Sequence, residues 1–152
     1  MSVDFGIIVW HEDGRWDATR LIPTRDIGAI IDSLKAQQTN GGAIALIAIE
    51  DEFVIIARAL GDQMQMMISD VTYALDYEVA AELIEVLDLE FPEEDDEAQP
   101  GGDLDLLNDL GVSQMELLTI LDDTELYSDE QLEAIASRLG FGEQFNQVIE
   151  SN

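Results

Sequence analysis

The sequence predicts an α+β fold: a five-stranded antiparallel sheet with helices, in the order β-β-α-β-β-β-α, followed by a small all-helical C-terminal region. Three observations predict it. Near the start, Phe5, Ile7 and Val9 are spaced at the two-residue period of a strand. Three later strand-like runs follow one another through two-residue turns, which makes an antiparallel meander. Beyond residue 103 the apolar residues recur only at helical spacing. The expected organisation is an α+β sheet domain at 1–87, an acidic linker at 88–103 and a helical region at 104–152.

The first strand begins at Val3, and His11-Glu12-Asp13-Gly14 turns it into a second strand, Arg15 to Ile22. Thr24, after Pro23, is placed to cap a helix whose Ile27, Ile30, Ile31 and Leu34 share one face. Asn40-Gly41-Gly42 ends it. Ala43–Glu50 and Phe53–Leu60 are apolar runs around Asp51-Glu52, and Gly61-Asp62 turns into a further strand from Gln63 to Ser69. Asp70 can cap a helix, and Asp76–Leu87 places Ala80, Leu83, Ile84 and Leu87 on one face. The order is compatible with profilin-like and roadblock-like sheets, an analogy of topology alone. Both central runs are apolar on both faces, so both faces need a cover. Helices supply one; the C-terminal region or a second copy of the chain is the candidate for the other, which leaves a homodimer open.

The stretch from Asp88 to Asp103 carries eight acids, two prolines and a glycine pair, and reads as an extended solvated linker. Leu104, Leu107 and Leu110 then share a face that Gly111 ends. Ser113-Gln-Met-Glu116 and Ser128-Asp-Glu-Gln131 match capping boxes. Leu132, Ile135, Ala136 and Leu139 keep the helical period up to Gly140, and Phe141, Phe145, Val148 and Ile149 form a last apolar stripe. These short helices bury little area alone and are expected to pack on each other and on the sheet.

Charge narrows the function. The 152 residues include 34 acids against 6 Lys plus Arg, a net charge of −28, while 47% are apolar. A disordered acidic tail lacks such apolar content. Phosphate binding needs clustered cations to displace counterions, so direct contact with nucleic acid is excluded from the expectation, as is an anionic membrane surface. There is no Cys, hence no disulfide, thiolate nucleophile or cysteine zinc site. No secretory signal is visible, and Ala43–Ile49, the longest apolar stretch, is far short of the ~20 residues of a spanning helix. A soluble cytoplasmic protein is expected.

Several segments carry a resemblance: Asp13-Gly-Arg-Trp16, Ile49-Glu-Asp-Glu52, Ile68-Ser-Asp70, Gly102-Asp-Leu-Asp-Leu-Leu-Asn-Asp-Leu-Gly111, and Leu126 through Phe141. In their order over nearly the whole chain, the sequence resembles the actinobacterial tRNA adenosine deaminase-associated protein family. The resemblance implies an accessory to such a deaminase and brings no catalytic or binding residue with it. The deaminase chemistry itself is excluded. It needs a His/Cys/Cys or Cys₃ zinc site within H-x-E and P-C-x-x-C motifs, whereas the sole His here gives His11-Glu-Asp.

The remaining candidates have plain structural accounts. His11 beside Glu12 and Asp13 has the parts of a general base but sits at an expected hairpin tip, where polar residues are the rule. Asp103, Asp105 and Asp109 miss the spacing of a calcium loop, because Leu107 and Leu110 fall where ligands or Gly should be. Carboxylate pairs arise by chance among so many acids, and no phosphate-binding or nucleophile-elbow motif is present. Met64, Met66 and Met67 read as core packing, and Trp10 and Trp16 as core or cross-strand packing.

No enzyme activity, cofactor or metal is therefore expected. The expectation is a non-catalytic acidic accessory protein that binds a basic protein, with the deaminase suggested by the resemblance. The partner-binding candidates are Glu93, Glu94, Asp95, Asp96, Glu97, Asp103, Asp105 and Asp109. A nucleic-acid mimic that inhibits an RNA- or DNA-binding protein is the alternative; a hydrolase using carboxylates and a divalent ion, or an adaptation to high salt, stands behind it.

Overall fold

The chain's two most apolar runs lie at the centre of its sheet. The computed structural model describes residues 4–21, 25–37, 39, 41–123 and 125–150. Strands β1 (Phe5–Glu12) and β2 (Arg15–Arg20) form a hairpin, α1 (Ile27–Gln37) follows, and β3 (Ala43–Ile49), β4 (Phe53–Leu60) and β5 (Gln63–Ile68) make the meander. The sheet order is β2-β1-β3-β4-β5-β6, antiparallel at every step. Leu46 faces Ile56 and Ile47 faces Ile55 in the central pair. The starts placed at Val3 and Thr24, the strand end at Ile22 and the Asn40 turn position lie outside the described residues.

The sheet has six strands where five were expected. The additional one, β6, is Gly101–Gly102, paired with Ile68 and Met67 of β5. The glycine pair reads as a chain breaker in sequence, yet it is what lets the backbone come close. A Cβ on Gly102 would lie 2.5 Å from the Met66 carbonyl oxygen, and one on Gly101 2.5 Å from Val71 Cγ1. Gly102 also has φ +99°, a conformation that favours glycine. Asp103 locks the strand in place. Its amide donates to the Met66 carbonyl (2.8 Å), and its carboxylate accepts the Met66 amide (3.0 Å).

Strand alternation divides the core into two layers. Ile8, Ala45, Ile47, Ile49, Ile55, Ala57 and Ile68 face α1 and α2 (Glu78–Val86). Ile7, Val9, Ile44, Leu46, Val54, Ile56 and Met67 face the opposite way, where the C-terminal helices α3 (Gln114–Leu121), α4 (Ser128–Leu139) and α5 (Gly142–Glu150) cover them with Leu117, Leu132, Ile135 and Phe145, joined by Phe141 between α4 and α5. One chain thus covers both faces of its own sheet. Fully burying one such side chain stabilises by about 1.5–3 kcal/mol before entropy is set against it, so both layers matter to stability.

Local chemistry sets the helix ends. Asp70 caps a 3₁₀ turn at Val71–Leu75 by accepting the Thr72 amide (2.9 Å). Ser113 caps α3 by accepting the Glu116 amide (3.2 Å). At α4 the cap lies one residue earlier than the Ser128 box: Glu130 accepts the Tyr127 amide (2.9 Å), and the Ser128 amide goes to Asp51 (2.6 Å). A carboxylate from the β3–β4 turn thereby holds the start of a helix 77 positions away. Gly111 and Gly140 end their helical turns with φ near +100°.

Candidate functional site

The β3–β4 turn, the 3₁₀ turn, residues 98–100 and the facing parts of α3 and α4 enclose a cleft of about 980 Å³. The sheet places its inner wall: Glu50 and Asp51, at φ 48° and 58°, fold the strand back so that Asp51 reaches α4. Non-glycine residues in this region store strain that the surrounding contacts must hold. The outer wall is α3, whose sequence QMELLTIL is apolar on more than one face. Leu117 is buried in the core, Leu118 and Leu121 are half-buried toward the cleft, and Met115 is 79% exposed at its lip.

Five carboxylates line this cleft: Asp51, Glu52, Asp70, Asp122 and Asp123. Neither Lys, Arg nor His is among the described residues that line it. Hydrogen bonds fix four of these acids. Besides Asp51 and Asp70, Glu52 accepts the Tyr73 hydroxyl (2.9 Å), and Asp123 accepts the Glu125 amide (3.0 Å). Burial, then the Glu52 hydrogen bond, push the Tyr73 phenol up to about 12. It therefore stays a donor at neutral pH. Tyr73 also stacks on Phe53 at 4.9 Å, which ties the cleft wall to the first core layer.

The sequence-predicted residues fall in four separate places. Glu93, Glu94, Asp95, Asp96 and Glu97 are all exposed in a local turn, where the Asp96 amide donates to the Glu93 carbonyl (3.0 Å) and Asp96 accepts the Glu93 amide (2.8 Å). Asp105 is exposed in the next turn. Asp103 and Asp109 have internal partners: Asp103 holds the β5–β6 edge, and Asp109 takes both arms of the buried Arg58 guanidinium at 2.5 and 3.0 Å. That pairing, more than anything else, holds the Asp109 carboxyl below the usual range.

The aromatic candidates behave as packing groups. Trp10 and Trp16 lie on opposite sides of the sheet, because Trp10 pairs with Asp17 while His11 pairs with Trp16. Trp16 packs between His11 (4.8 Å) and Phe141 (4.9 Å). The His11 carbonyl accepts the Thr39 hydroxyl. Met66 and Met67 are buried in opposite core layers, with Met64 half-buried beside the first. Among the described residues, no group of three or more His, Cys, Asp or Glu side chains is arranged to hold a metal ion.

A family model described as Rv3753c-like tRNA adenosine deaminase-associated protein matches residues 4–142. The chain belongs to that family. Within it, the chain is 39% identical over 151 residues to Protein Rv3753c of Mycobacterium tuberculosis, covering 96% of this chain and 87% of that one. No solved structure matches the chain. No helix among the described residues is long and apolar enough to cross a membrane.

Every residue lining the cleft of this deaminase-associated family member falls within the stretch matched by the family model. Sequence reasoning missed the cleft because its two walls are far apart in the chain. One signal was present: Met115 and Leu118 are apolar residues beside the buried Leu117 face of α3, more than one-sided packing needs.

Proposed function

We propose that the protein is a non-catalytic accessory of a tRNA adenosine deaminase, acting in the cytoplasm by binding a basic surface of that enzyme. Family membership carries this reading. The sequence supports the non-catalytic part, since without Cys it cannot form the metal site of a zinc deaminase. The exposed run Glu93–Glu97, with Asp105 nearby in sequence, is the proposed docking contact. A concentrated negative field steers a basic partner and raises the association rate more than the final affinity.

The test is co-elution of purified protein and deaminase across a salt series. A complex at low salt that weakens as salt rises is expected. Changing Glu93, Glu94 and Glu97 together to Gln should slow association several-fold with little change in dissociation. Independent elution at low salt would refute the proposal.

A nucleic-acid mimic is the second reading, supported by the exposed Glu78, Glu82 and Glu85, which recur at one-turn spacing on α2. Competition separates the two readings. A mimic displaces tRNA from the enzyme, whereas an accessory leaves tRNA bound.

A further inference from the structure

We infer that the cleft between the β3–β4 turn and α3 is a docking groove for a basic amphipathic helix of a partner protein. The inference rests on the accessory reading only in taking that partner to be a basic protein. Apolar side chains on one face of the helix would lie along Met115, Leu118 and Leu126, and its flanking Lys and Arg would meet the carboxylates.

Charge complementarity selects the occupant. With five carboxylates and no cation among its described lining residues, the groove repels nucleic acid and acidic peptides. A small hydrophilic cation would leave the apolar lining of Met115, Leu118, Leu121 and Leu126 uncovered. A helix presents both chemistries at once, in the groove-binding mode of apolar anchors at i, i+3, i+4 and i+7.

Size and rigidity agree with this choice. A helix about 10 Å across occupies roughly 400 Å³ per turn, so the 980 Å³ cleft takes about two turns. Four carboxylates are held by the Ser128, Thr72 and Glu125 amides and the Tyr73 hydroxyl. A carboxylate has about four acceptor sites, so each keeps capacity for a Lys or Arg. Their fixed positions lower the ordering cost of binding.

The probe is a synthetic amphipathic Leu/Lys helix titrated into the full-length, isotope-labelled protein. A scrambled Leu/Lys peptide of equal charge serves as control. Saturable amide shifts at Met115, Leu118 and Asp122 are expected, with the scrambled peptide about tenfold weaker. Met115→Ser, at an exposed position, and the pair Asp122→Asn with Asp123→Asn should each weaken the probe about tenfold without lowering the melting temperature. Equal binding of the scrambled peptide, shifts centred on Glu93–Glu97, or an unchanged affinity in Met115→Ser would overturn the groove.

The deaminase supplies a separate arm. If it binds wild type and Met115→Ser equally, and the helix probe does too, the groove proposal falls and the accessory reading stands. If it binds neither while the probe still seats in the cleft, the accessory reading falls and the groove stands.

Discussion

Arg58 is 5% exposed, the one buried cation among the described residues, and it joins the sheet to the chain that follows. Its guanidinium donates to the Leu106 carbonyl (2.9 Å) and to both oxygens of Asp109. Asp109 is 62% exposed, so solvent screens the pair and the Coulomb gain is discounted. Asp109→Ala still leaves a buried charge short of acceptors and should cost about 1–2 kcal/mol in urea denaturation. Folding lowers the pKa of Asp109 through Arg58 and that of Asp4 through the Arg25 hydrogen bond. Their contribution is complete above the ordinary carboxylate range and disappears as pH falls through the folded-state values. The stability gap between wild type and Asp4→Asn should therefore close in acid, as denaturation at stepped pH would show. Tyr73 has the opposite profile: its folded pKa is raised to about 12. The stability this gives is complete below the unfolded value near 10 and is lost as pH rises toward 12. Tyr73→Phe should flatten that alkaline decline. The Arg58 pairing went unread, although a lone cation inside the apolar run Phe53–Leu60 implies a buried partner. That the partner is Asp109, 51 positions on, is a property of the folded chain alone.

Among the elements, the β3–β4 turn serves its own hairpin and also caps α4. Asp51→Ala removes the acceptor for the Ser128 amide and puts Ala at φ 58°, at a combined cost of about 1–2 kcal/mol. Asp51→Asn, which tolerates that backbone and retains an acceptor, should recover most of it. Faster amide exchange in the first turn of α4 would mark the loss. At the other edge, Gly102→Ala combines φ +99° with an approach of 2.5 Å to a carbonyl oxygen, and should cost about 2–3 kcal/mol and release β6 from β5. Period and turn chemistry made β1 to β5, α1 and α2 legible, because those signals are local. β6 was not, since two glycines among acids look like a break until a neighbouring strand is there to receive them. The Ser128 box failed for a related reason: a distant carboxylate took the amide that a local cap would have used.

Across the whole molecule, the −28 charge rests on a core packed on both sides of one sheet. Self-repulsion works against compactness, so added salt should raise the melting temperature over the range in which the Debye length shortens below about 10 Å. The same salt should weaken the proposed binding to a basic partner, and the opposite signs can be read from one titration series by calorimetry and co-elution. The need for two covers was legible from the apolar runs. The C-terminal region was one of the two covers left open, and what the sequence did not decide was between it and a second copy of the chain, because helical stripes do not record which surface they meet. This arrangement has a consequence for the order of synthesis. Met67 and its neighbours on that face are made roughly eighty residues before Phe145 is available to pack there, a gap of about 4–16 s at ordinary elongation rates. Until the last of these helices follows, that face of the nascent sheet is incompletely covered, and the acids already translated repel neighbouring nascent chains.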